Sequence, residues 1–329
     1  MQALENLVDG GGSSGQYIST WDAIRNEGYP VEAHDVMTID GYSLSMYRIP
    51  GKKGSPPVFI QHGLTSSSLD WLKSKGYWKA LPFKLHDEGY DVWLGNSRGN
   101  MYSRYHRTFR PTDEPFWDFS WYEMGRYDLP AELEFIKERT GKNIIYIGHS
   151  MGTTMFYVMA IEKPWAASMV KVMFSFAPIA FLSNIASPFK LLAANDDILE
   201  MLPNRMFTQM NAGTSKKTVA HYAQEINSGK FANYDYGWQK NYQMYGRSTP
   251  PDFDLSKIKT PIGLFWSRGD TVSSPRDVRN LYNSLPNVIL NYEIPDGNFQ
   301  HTDFSRPDRA TLSVYHKLLS AMADYNHHP

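Results

Sequence analysis

Residues 143–162 read NIIYIGHSMGTTMFYVMAIE: a continuous apolar, β-branched run, a tight Gly-His-Ser-Met-Gly, and then a helix-forming run. A strand without polar alternation is buried on both faces, which implies a parallel sheet covered by helices on both sides. The sharp strand-to-helix turn leaves one serine, Ser150, in strained backbone. Its flanks at Gly148 and Gly152 must be small, and His149 and Met151 fill the intervening positions. A helix that starts at once turns its dipole and its free N–H groups toward any anion forming at that serine.

The pattern G-x-S-x-G occurs three times, and context separates them. Ser13 lies in a Gly/Ser tract with no strand before it and reads as linker. Ser97 follows a strand, but the NMYSRYHRTFRP after it has no apolar periodicity and meets Pro111. It reads as part of a loop bordering the site. Only Ser150 has the required strand, turn and helix.

The rest of the chain fits the same architecture. Residues 1–16, with GGGSSG, read as a flexible lead. Strands are expected over 31–39 and 42–49, joined by the hairpin signal Asp40-Gly41, and over 58–61. Then come a helix over 70–88, a strand over 90–94, an aromatic loop over 102–121 and a helix over 128–140. After the elbow, a strand is expected over 170–176. The alternation lapses after Pro178 and resumes at Pro261, with strands over 262–266 and 288–294 and helices over 275–285 and 309–324. This predicts an α/β core over 17–180 and 255–325, with a mostly parallel sheet, helices on both faces, and a short inserted cap over 181–254.

A serine hydroxyl needs a base, and the base needs a carboxylate to orient it. In folds with this elbow the order is Ser, acid, His, at the ends of later strands. The strand ending at Trp266 leads to Asp270, and the strand ending at Ile294 leads to His301. Asp277 and Asp303 are weaker acid candidates, placed at helix starts where Asp commonly caps. The oxyanion donors are expected to be the backbone N–H groups of Met151 and of Leu64, in His62-Gly63-Leu64. Gly148, His149 and Gly152 support the elbow, and His62 is read as a loop-shaping residue.

Composition narrows the function further. Lys+Arg is 33 against Asp+Glu 34, so neither a basic excess nor a polybasic run points to nucleic acid or anionic lipid. Without cysteine there is no disulfide, thiolate metal site or Cys nucleophile. No cofactor or metal motif is present. Absent sequons, cysteines and signal-like N-terminus fit a cytoplasmic protein or an altered chain. The longest apolar stretch, 169–182, is too short and too interrupted for a transmembrane segment.

Several blocks resemble the acid lipase family of gastric and lysosomal lipases. They are Gln61-His62-Gly63-Leu64, the run YDVWLGNSRGN over 90–100, Tyr127-Asp128-Leu129-Pro130-Ala131 and Gly148-His149-Ser150-Met151-Gly152-Thr153-Thr154. Further matches are Asn211-Ala212-Gly213-Thr214-Ser215, Ser228-Gly229-Lys230-Phe231, Tyr234-Asp235 and His301-Thr302-Asp303-Phe304. The resemblance covers about 18–320. It implies an α/β-hydrolase fold with a lipase cap, and a secreted or lysosomal setting. It also implies hydrolysis of triacylglycerol or sterol esters, transient contact with a lipid interface, and a triad on Ser150, Asp270 and His301. Met151 stands where the family usually has Gln. The stretch 181–210 looks shorter than the family's and lacks its cysteines, leaving Phe189, Leu191, Leu192, Ile198, Leu199 and Leu202 as lid apolar groups. The shortened cap motivates an alternative, an esterase for small non-lipid esters. A third reading is a non-catalytic ligand-binding protein on the same scaffold.

Overall fold

Alternate residues of the central strands point into two separate apolar layers, and the architecture follows from this. In β6 (Ile144–His149), Ile144 and Tyr146 enter one layer while Ile145 and Ile147 enter the other. In β3 (Pro57–Gln61), Phe59 opposes Val58 and Ile60 in the same way. A strand apolar on both faces has to be sandwiched, so the continuous run in the sequence is the two-faced burial read along one dimension. The computed structural model describes residues 18–193, 199 and 201–326. The lead over 1–16 lies outside the described residues.

The remaining strands are β1 (Glu32–Met37), β2 (Tyr42–Ile49), β4 (Asp91–Leu94), β5 (Tyr105–His106), β7 (Val170–Phe176), β8 (Ile262–Trp266) and β9 (Val288–Glu293). The sheet runs β1-β2-β4-β3-β6-β7-β8-β9, with β5 pairing β2. β1, β2 and β4 pair antiparallel in succession, and every pair from β4 through β9 is parallel. The Asp40-Gly41 signal is borne out: Gly41 N–H bonds to the Thr38 carbonyl at 3.0 Å, with Gly41 at φ 104°.

The principal helices are α1 (Thr20–Asn26), α2 (Leu81–Asp87), α3 (Leu129–Thr140), α4 (Met151–Glu162), α5 (Lys216–Ser228), α6 (Trp238–Tyr245), α7 (Pro275–Ser284) and α8 (His316–Asn326). Three expectations need correction. The helix over 70–88 is broken: a 3-10 turn at Ser68–Leu72 is followed by a turn with Gly76 at φ 59°, and only then by α2. That conformation costs a glycine little but cannot continue a right-handed helix. α3 is preceded by Trp121–Glu123 and a π-helical turn at Met124–Asp128. There Gly125 packs so closely on α4 that a Cβ would lie 2.5 Å from the Met155 carbonyl oxygen. The last helix starts earlier, as Pro307–Ala310, and passes through a π turn at Thr311–Tyr315.

Between β7 and β8 the chain leaves the sheet and forms Phe189–Ala193, Asn204–Gln209, α5 and α6. Phe189 and Leu202 pack on the core, Leu199 is buried and Leu191 is exposed. The side chains of Leu192 and Ile198 lie outside the described residues. None of the helices among the described residues is long and apolar enough to cross a membrane.

Candidate active site

Ser150 sits between β6 and α4 at φ 51°, ψ −118°, a conformation that L-residues rarely adopt. Its N–H bonds to the Phe176 carbonyl at 3.0 Å, and its own carbonyl accepts from Thr153 N–H at 2.8 Å. The flanking glycines are required by space. A Cβ on Gly148 would lie 2.8 Å from the Gly152 carbonyl oxygen, and one on Gly152 would lie 2.7 Å from that of Gln61. The turn can therefore close only with bare backbone on either side of the serine.

The two later strand ends deliver the partners. β8 and β9 pair up to Trp266 and Glu293, so the loops leaving them are neighbours. His301 Nε2 lies 2.8 Å from Ser150 Oγ, and its Nδ1 lies 2.8 Å from Asp270 Oδ2 and 3.1 Å from Oδ1. An ionised Asp270 only accepts, so Nδ1 carries the proton and Nε2 is left to accept from the serine hydroxyl. The carboxylate is itself pinned, since Oδ1 accepts from Val272 N–H at 2.8 Å and Ser273 N–H at 2.9 Å. The Asp270 side chain is fully buried, whereas that of His301 is 17% exposed.

The loop after β3 is packed against this turn, because β3 and β6 run side by side up to Gln61 and Gly148. A Cβ on Gly63 would lie 3.1 Å from the Ser150 Cβ. Met151 opens α4, where a first-turn N–H has no acceptor within the helix. Leu64 follows Gly63 and lines the same cavity as Ser150. His62 shapes this loop. Its Nε2 accepts from Ser97 N–H at 3.1 Å, so Nδ1 carries the proton and donates to the Gly63 carbonyl at 2.8 Å. Burial pushes the His62 ring down to about 4, keeping it neutral.

His149 is held in a related way. Its Nε2 lies 2.7 Å from the His301 carbonyl oxygen, which can only accept, so Nε2–H donates. Burial, and then the charge of His301, push its pKa down to about 3.

Around Ser150 the surface opens into a cavity of about 920 Å³. Ile179, Leu182, Ile185, Phe189 and Val272 wall one part, and the loop after β3 and the chain after His301 wall another.

Two family models match this chain: a partial alpha/beta-hydrolase lipase region over residues 20–75, and the alpha/beta hydrolase fold over 56–233. Gastric triacylglycerol lipase of Bos taurus is 34% identical, with 94% of this chain and 90% of the relative covered. The chain belongs to the acid lipase family. Lipase member K of Homo sapiens is 33% identical over 94% of this chain and 90% of its own, and Lipase 3 of Drosophila melanogaster is 33% identical over 92% of each. Among solved structures, an esterase of Thermogutta terrifontis has a TM-score of 0.55 at 17% identity, covering 89% of this chain and 99% of its own. An esterase of Pyrococcus furiosus has a TM-score of 0.54 at 16% identity, covering 96% and 94%. These last two speak for the fold alone. This acid lipase family member is a carboxylic ester hydrolase.

Most of the residues that brace the candidate site were not singled out in the sequence as site residues, Ser97 being read there only as part of a bordering loop. Arg98 is buried, with its guanidinium on Asp128 (Nε to Oδ1, 2.7 Å) and on Asp40 (Nη1 to Oδ2, 2.6 Å). It ties the β1–β2 turn to the π-helical turn that leads into α3. Asn96 donates to the Ser45 carbonyl at 2.9 Å and to Ser68 Oγ at 3.0 Å, and accepts from Asn100 Nδ2 at 2.9 Å. The second G-x-S-x-G block is thus a buttress beneath the loop after β3. Ser97 is buried and takes a 2.9 Å bond from Gln61 Nε2. The density of short polar residues in GNSRGN was the available signal. Asp277 and Asp303 lie apart from His301's ring nitrogens: Asp277 accepts from Asn184 N–H at 2.9 Å and Asp303 from Gln300 N–H at 2.9 Å.

Proposed function

We propose that the chain is a serine ester hydrolase acting on lipid esters, with Ser150 as nucleophile, His301 as general base and then acid, and Asp270 as the residue that holds the imidazole. The observation that carries this reading is the continuous pair of 2.8 Å contacts from Asp270 through both nitrogens of His301 to Ser150 Oγ. His301 takes the hydroxyl proton as Ser150 Oγ bonds to the ester carbonyl carbon, and the carbonyl oxygen becomes an oxyanion. The N–H groups of Leu64 and Met151 receive it, aided by the N-terminal end of α4. The ester C–O bond then breaks, His301 protonates the leaving alcohol, and water repeats the sequence to release the acid. Asp270 remains ionised throughout and stabilises the imidazolium.

Cavity size favours lipid over small esters, since about 920 Å³ is at the upper end of ordinary ligand sites and its wall is largely apolar. The insertion over 181–254 supplies part of that wall and is read as a cap. The alignment to the bovine relative runs over 368 residues, more than the 329 of this chain, so the relative holds internal residues that this chain lacks. This supports the reading of a short cap and keeps the small-ester esterase as the second reading. A non-catalytic binder is disfavoured by the intact contacts at Ser150. The test is a p-nitrophenyl ester series of rising chain length with Ser150→Ala as control, plus fluorophosphonate labelling. The reading expects labelling and turnover in the wild type, a preference for acyl chains of eight or more carbons, and loss of both activities in the variant. Turnover retained without Ser150 rejects it.

A further inference from the structure

The cavity at Ser150 is chemically divided. Its apolar part is the wall of Ile179, Leu182, Ile185, Phe189 and Val272; its polar part carries Asp70, Lys73, Lys75, Arg306 and Asp308. In the polar part, Lys75 Nζ lies 2.7 Å from Asp308 Oδ2, joining the segment after β3 to the segment after His301 across 233 residues of sequence. Arg306 Nη2 lies 3.3 Å from the same oxygen, and Lys73 Nζ lies 2.7 Å from Asp70 Oδ1. Asp308 Oδ1 is buried and has no hydrogen-bond partner among the described residues.

Which half of an ester enters which part follows from the proton's path. The leaving alcohol must take its proton from His301 Nε2, so it belongs beside the chain that carries His301, the segment through Asp308. That is the polar part. The acyl chain is left with the apolar wall. A leaving alcohol that itself bore fatty chains would strip water from these charged side chains and return no hydrogen bonds, which is unfavourable. An alcohol with free hydroxyls donates to Asp70 and to the accessible part of the Asp308 carboxylate and accepts from Lys75 and Arg306, while its carbons lie against Leu69, which also lines the cavity.

Resting on the Ser150–His301–Asp270 reading, we propose that the alcohol half of the substrate is a small polyhydroxy alcohol. The substrate class is a single fatty acyl chain on glycerol or on a sugar. The Ser150 Oγ–acyl bond forms as the ester bond to the polyol breaks, the serine proton passes through His301 to the polyol oxygen, and water then releases the fatty acid.

The experiment compares kcat/KM for 1-monooctanoylglycerol, sucrose monooctanoate and methyl octanoate, each below its micellar concentration, and for trioctanoylglycerol. It uses the wild type, Ser150→Ala, and the double variant Lys75→Met with Asp308→Leu, which removes one charge of each sign. We expect a polyol ester to exceed methyl octanoate by about tenfold or more, and that ratio to fall about tenfold in the double variant, the scale of one lost charged hydrogen bond. Preference for the glycerol ester or for the sugar ester alone assigns the polyol, and preference for both supports the class. A wild-type ratio near one, a preference for trioctanoylglycerol, or a ratio unmoved in a folded double variant overturns the proposal. The wild-type ratios decide even where the double variant does not fold. If Ser150→Ala still cleaves these esters, the triad reading fails; if it is inert and the ratios are flat, only the alcohol assignment fails.

Discussion

His149 Nε2–H donates to the main-chain carbonyl of His301 at 2.7 Å, so the residue beside Ser150 clamps the backbone of the residue facing it. His301 stands on a loop, and a ring that must meet both Ser150 and Asp270 gains from such an anchor. His149→Phe is expected to lower kcat about tenfold with KM little changed. His149→Gln, whose amide can donate from a similar position, should recover much of the loss. Steady-state kinetics with melting curves separates this from unfolding. The clamp also carries a pH signature: its folded pKa, about 3, lies below the ordinary 6.5. The unfolded chain therefore binds the proton first, and stability falls as pH drops from about 6.5 toward 3. His149→Gln should flatten that part of the stability curve.

Asp270→Asn keeps the shape of the acid but turns one oxygen into a donor. Its pinned contacts with Val272 and Ser273 N–H favour leaving the oxygen there and presenting the NH2 to His301, which would force the wrong tautomer. kcat is expected to fall about 10³- to 10⁴-fold with a near-native melting temperature. A loss under tenfold in single-turnover assays would contradict this role.

Arg98 is 1% exposed and its partner Asp128 is fully buried. Burial pushes Asp128 up to about 6, against the pull of Arg98 beside it. Replacing Arg98 by Met strands a carboxylate without a counter-charge, and about 3–5 kcal/mol of stability should be lost. Urea denaturation measures it. The double change Arg98→Met with Asp128→Leu should cost less than the single one.

Glu132 is buried on α3, where its carboxyl meets the Asn96 main chain but no counter-charge among the described residues. Burial first, and then the nearby Asp128, raise its pKa well above the usual glutamate value. Folding therefore keeps a proton that the unfolded chain gives up above about pH 4.5. Stability falls as pH rises through that point, by about 1.4 kcal/mol per unit, until the folded carboxyl itself ionises. Glu132→Gln cannot ionise, so its stability advantage over the wild type should grow between pH 4 and pH 8. An advantage independent of pH would refute the neutral-acid reading.

What could be read from the chain was what is local. Ser150 was legible because strand, turn and helix are contiguous, and two glycines mark backbone that must touch backbone. Asp270 and His301 were legible because successive crossovers bring strand ends to one edge in chain order. Arg98 with Asp128 was not, since a pairing across 30 residues leaves no periodic trace. Nor was the burial of Glu132, because helical spacing places a residue on a face but does not say how deep. Lys75, in a segment read as helix that a left-handed Gly76 interrupts, and Asp308, just before the last expected helix, needed the tertiary structure to meet.

β7 and β8 are direct neighbours in the sheet, with Met173 opposite Ile262 and Phe176 opposite Phe265, although the chain wanders for more than eighty residues between them. Both ends of that detour are thus bolted to adjacent rungs of one ladder. Its length can grow, shrink or be exchanged at a closure cost that rises only with the logarithm of loop length. Grafting a longer detour between Ala177 and Pro261 should therefore change which molecules gain entry while the sheet beneath keeps its alignment.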